Sequence, residues 1–139
     1  MSYRYSSKWV QQIVDLQRED GSWGCFHTLS QPTKAQPMTT EQALRRLRIL
    51  GFTKDDEPIS RAITYMEQNL MKPFATVFYE KKYDSKTYGD LMLAAWIMLF
   101  DPKNKTALVI AKKWAKIISS TFQDGVYSNE RYVSAYVQE

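Results

Sequence analysis

Lys8–Gly24, KWVQQIVDLQREDGSWG, is the stretch from which the fold is read. Trp9, Ile13 and Leu16 stand at i, i+4 and i+7, with Val10 and Val14 beside them, the spacing of one apolar helix face. Ser6 or Ser7 offers a side-chain oxygen to a free first-turn N–H. Asp20-Gly21 closes the run, because glycine takes the left-handed conformation at little steric cost. Gln17 falls in the last turn, where its amide can reach orphan carbonyls or the next segment. Trp23 is then placed to fold back over the helix end.

Working outward, Gly24 to Met38 is irregular, holds Pro32 and Pro37, and is long for a compact domain. Connections of that length tend to carry function. Thr39-Thr40-Glu41-Gln42 has the spacing of a capping box and opens a second helix striped by Ala43, Leu44, Leu47 and Leu50. Glu41 and Arg45 are spaced to pair along it. Gly51 stops it, with Phe52 set for the contact that accompanies such stops. Pro58 suits an early position of a third helix carrying Ile59, Ala62, Ile63, Met66 and Leu70. A second long connection, Met71–Thr87, precedes Tyr88–Phe100, whose LMLAAWIMLF run predicts a helix apolar, and hence buried, all round. Asp101-Pro102 is read as the cap and first position of a fifth helix, Lys103–Phe122. A sixth helix begins near Ser128, with Tyr132, Val133, Tyr136 and Val137 on its apolar side.

The expected fold class is therefore all-α: about six helices in three consecutive hairpins, roughly 6–51, 57–100 and 103–139, forming one domain over 1–139. The composition fits a modest single core, with 44% hydrophobic and 14% aromatic residues in 139. One cysteine excludes an internal disulfide framework and suits a reducing, cytoplasmic setting. The longest apolar run, ten residues from Leu91 to Phe100, is too short to span a bilayer. A net charge of +4 is no nucleic-acid footprint. It leaves open a basic helical repeat that binds an acidic partner.

The aromatic, Gln-x3-Gly-x-Trp pattern carried by Trp9, Gln17, Gly21 and Trp23 resembles the QW repeat of squalene and other triterpene cyclases and of protein prenyltransferase β subunits. The helix–glycine–helix stretch TTEQALRRLRILGFTKDDEPISRAITYMEQNL is similar to their inner-helix, outer-helix unit. Trp114, Gln123, Gly125 and Tyr127 echo the first motif, and Gly21 and Gly125 stand 104 residues apart, two units of 52. The resemblance implies an α/α toroid in which helices one, three and five are outer and two, four and six inner. Both long connections then lie at one end, where a site is expected. Three hairpins make half of such a ring. The sixth helix reaches Glu139 without a Gly, Asn or Pro stop. The expectation is thus a piece of a longer protein, or a homodimer in which two chains complete one ring.

The family's chemistry has few counterparts among these residues. A cyclase protonates its substrate with an Asp-rich motif; Asp55-Asp56-Glu57 lacks that spacing and more plainly serves a helix dipole. Prenyltransferases hold zinc with Asp, Cys and His. Cys25 and His27, with Asp84 or Asp90, supply those types here, though not in the family's motif, and no cofactor is the primary expectation. A lone cysteine such as Cys25 more often serves as a small buried hydrophobe. Phe74, Phe78, Tyr79, Tyr83, Tyr88 and Trp96 could line an apolar pocket. Arg45, Arg46 and Arg48, with Lys81 and Lys82, could grip a diphosphate. The pocket candidates are Trp23, His27, Arg45, Tyr79, Tyr83, Tyr88 and Asp90, and no catalytic residue is assigned. The leading expectation is a binding or structural module with a small apolar or isoprenoid ligand. The alternative is an isoprenoid-handling enzyme whose catalytic residues lie partly outside this chain.

Overall fold

The computed structural model describes residues 3–28, 30–72 and 86–138. After a short 3-10 helix at Tyr3–Ser6 come six α-helices: α1 Lys8–Val14, α2 Thr40–Ile49, α3 Glu57–Leu70, α4 Lys86–Phe100, α5 Lys105–Thr121 and α6 Asn129–Gln138. Among the described residues there are no strands, so the fold is all-α.

α1 is shorter than its apolar pattern. The amides of Leu16 and Gln17 bond back three residues, to Ile13 and Val14, in place of four. The cause is Trp23. Its indole N–H donates to the Ile13 carbonyl at 2.7 Å, the oxygen that Gln17 would otherwise use to continue the helix. Trp23 is wholly buried over the helix end, as the sequence predicts, and burying an indole contributes about 3 kcal/mol or more. Ser7 is the N-cap, but its side chain makes no capping bond.

The start of α2 has its free N–H groups answered. Cys25 and Phe26 carbonyls accept from Thr40 and Glu41, and Thr39 Oγ1 accepts from Gln42. Gln42 Oε1 returns the bond to the Thr39 N–H, completing the expected capping box. The long loop is therefore tied at its beginning, at Cys25 and Phe26, by backbone bonds from the first turn of α2. At the other end Gly51 has φ +80°, Phe52 N–H reaches the Leu47 carbonyl and Gly51 N–H that of Arg48. This is a Schellman stop, with Phe52 buried as anticipated.

Tyr5, just before α1, meets Phe52, just after α2, with ring centroids 5.2 Å apart. Trp23, beyond the end of α1, bonds Thr40 at the start of α2. The two helices therefore run antiparallel. One cluster of buried side chains joins Val10 and Ile13 of α1 to Leu44 and Leu47 of α2, Ile59 and Met66 of α3, and Leu93 and Ile97 of α4. α4 packs on α3 and α5, and α6 packs on α5.

Four expectations are corrected. α5 is capped by Asn104, whose Oδ1 accepts from Ala107 N–H, and not by Asp101 with Pro102 as its first position. Asn104 prevails because its amide also donates to Glu67 Oε1 at 2.6 Å, tying the helix start to α3. α4 is not buried all round, since Tyr88 and Leu99 are 55% and 48% exposed. Tyr127 does not plug a helix end as Trp23 does: it is exposed and rests on Phe122, 5.8 Å between centroids, while Gln123 lies in solvent. Trp9 is 74% exposed, because Val10 and Ile13 take the core side of a helix only seven residues long.

Candidate functional site

Polar side chains gather where the long loop meets α2 and α4. Glu41 sits in the first turn of α2 and is buried. It does not pair with Arg45. Its Oε2 accepts from the Thr28 N–H at 2.7 Å and the Thr28 hydroxyl at 2.9 Å, and its Oε1 from the Trp96 indole N–H at 2.8 Å. The carboxylate thus joins loop, α2 and α4 through neutral donors, which is how a buried acid is kept without a cation. Glu41 lies three residues before Leu44, on the apolar stripe. That misplaced charge is the signal by which the sequence could have revealed it.

The other candidates distribute around this tie. His27 Nε2 lies 3.4 Å from the Tyr88 hydroxyl, their ring centroids 6.3 Å apart. Asp90 is held by Lys86 Nζ at 2.8 and 2.9 Å. Cys25 is half-buried. No three His, Cys, Asp or Glu side chains converge as a metal-holding group among the described residues, so Cys25, His27 and Asp90 are not brought together as one ligand set. Trp23 lines no opening, being wholly enclosed. Asp56 Oδ2 accepts from the amide and hydroxyl of Thr53, so the acidic run shapes a turn. Tyr79 and Tyr83 lie outside the described residues, as do Phe74, Phe78, Lys81, Lys82 and Asp84.

An apolar opening lies elsewhere. A recess of about 830 Å³ runs between α1 and α2, lined chiefly by Trp9, Ile13, Leu16, Met38, Ile49 and Leu50, with Gln12, Asp15, Pro37 and Arg46 completing it. The Trp9–Ile13–Leu16 spacing read from the sequence is a real face of the chain, and it borders this groove. Ile49 is 79% exposed and Leu50 38%. Arg45 and Arg46 precede Ile49 by one helical turn and flank it. Arg45, Arg46 and Arg48 are all exposed, and no ion pair to them occurs among the described residues. Sequence reasoning placed Arg45 at a site but missed the groove. The sign was Ile49, an isoleucine off the Ala43–Leu44–Leu47 stripe.

No family model matches the chain, and comparison with curated proteins and with solved structures finds no match.

Proposed function

We propose that this protein is a helical-repeat binding module of the α/α-toroid kind, whose α1/α2 groove receives the apolar body of a small guest. An isoprenoid chain is the guest class that the Trp9–Gln17–Gly21–Trp23 resemblance suggests. The observation that carries the reading is the recess of about 830 Å³ with its apolar walls. Its size and lining are those of small-molecule sites, which hold roughly 300–1,000 Å³ and use few polar groups. The polar groups of the loop end support binding over catalysis as the leading reading. Glu41 is committed to hydrogen bonds that join the loop, α2 and α4, and Asp90 to an ion pair with Lys86 one turn away on α4.

Calorimetric titration with geranylgeranyl diphosphate tests this. The expected result is micromolar binding, weakened at least about tenfold when Trp9→Ser and Ile49→Ser remove two apolar walls. An absence of heat at millimolar ligand, with the chain folded by circular dichroism, would overturn the reading.

A further inference from the structure

The groove's outer rim combines two chemistries seldom left exposed side by side. Trp9, Ile49 and Leu50 present apolar surface to solvent, at 74%, 79% and 38% exposure. Lys8, Arg45, Arg46 and Arg48 stand next to them on the same two helices, all exposed, and no salt bridge engages them among the described residues. Acidic counterparts are scarce on this rim. Asp15 faces the groove but accepts from the Gln11 amide at 2.5 Å, and Glu41 of α2 is turned inward. We infer that this rim docks the protein on an anionic lipid bilayer, Trp9, Ile49 and Leu50 entering the headgroup layer while the four cations meet lipid phosphates and carboxylates.

The physical fit is specific. An indole with neighbouring aliphatics partitions to the boundary between headgroups and acyl chains, and flanking Lys and Arg add attraction to anionic lipid. Each basic residue near such a surface strengthens partitioning about fivefold, so four of them together with three apolar side chains suffice for reversible attachment. A second copy docked by the same face would set four cations against four, which disfavours it. The proposal rests on the groove being the binding surface. It adds that the groove opens toward a membrane, so an apolar guest passes from lipid to protein without crossing water.

Flotation of the intact chain with vesicles tests it. Vesicles of phosphatidylcholine and phosphatidylserine should carry the protein upward, and phosphatidylcholine alone should not. Raised salt should release it. Arg45→Glu with Arg46→Glu should lower partitioning by about thirtyfold or more. Lys112→Glu with Lys113→Glu, the same change in net charge placed on α5, should leave most binding intact. Trp9→Ser should both weaken binding and remove a blue shift of tryptophan emission. Equal binding to neutral vesicles, or equal loss in the α5 pair, overturns the proposal. Uptake of geranylgeranyl diphosphate in solution by a chain that ignores anionic vesicles overturns it while leaving the groove reading intact. Vesicle binding without uptake of that guest does the reverse.

Discussion

At Gly21 the backbone has φ +90°, and the chain passes so near α3 that a Cβ would overlap the carbonyl oxygen of Arg61 and stand 2.8 Å from its carbonyl carbon. Two costs coincide there: a left-handed conformation that side-chain-bearing residues resist, and a collision with backbone that cannot rotate aside. Gln17 depends on this closeness. Its amide donates to the Gly21 carbonyl and, at 2.9 Å in each case, to the Pro58 carbonyl at the start of α3. Gly21→Ala is therefore expected to lower stability by about 2–4 kcal/mol, read as a fall in the urea midpoint with the slope unchanged. A loss under about 0.5 kcal/mol would mean that the close approach is relaxed in solution. The Gln17 reach was legible in the sequence because a glutamine at a helix end has few other uses. The Glu41 tie was not read, because an i, i+4 partner in Arg45 offered a simpler answer at the surface.

Among elements, helix starts and stops were the most legible. The capping box at Thr39 and the stop at Gly51 each depend on local chemistry that a short stretch contains in full. The start of α5 was misread because its deciding partner, Glu67, lies 37 residues upstream. The short turn from α5 to α6 is held by Asp124, which accepts from Arg131 Nη2 at 2.9 Å and from the Val126 N–H at 3.2 Å. Those bonds, the Arg131 side chain first, hold the Asp124 carboxyl below its ordinary value of 3.8. A carboxyl lowered on folding adds stability above its unfolded value and loses it as pH falls through the folded one. The turn should therefore loosen only below about pH 4, and weakly, since the pair is solvated and screened. In carbon-detected NMR titration Asp124 should show a midpoint under 3.8 that rises in Arg131→Gln. An unchanged midpoint would remove the pair from the account of this turn.

At the scale of the molecule, burial falls away along the chain. α2 and α3 each bury five or six side chains, whereas among the described residues α6 buries none and packs on α5 and, through Tyr136, on the Trp114 ring and Thr87 hydroxyl. Few buried apolar contacts mean a low local opening energy. Amides of α6 should exchange with deuterium well before those of α2 and α3, by about a hundredfold or more. Equal protection would show that another surface covers Val133, Tyr136 and Val137 in solution. The all-α class was legible from periodicity, and the exposed face of Trp9, Ile49 and Leu50 was not. Periodicity identifies which residues share a side; it does not say whether that side meets protein or opens outward. The seam joining the first hairpin to α3 has a further property. Gln17 and Arg61 reach main-chain oxygens, those of Gly21 and Pro58 for the first and of Arg18 and Glu19 for the second. Such acceptors are supplied by every amino acid, so the identities at 18, 19 and 58 can be rewritten while the joinery keeps its shape. Only the two long donors and the bare Cα between them hold a veto.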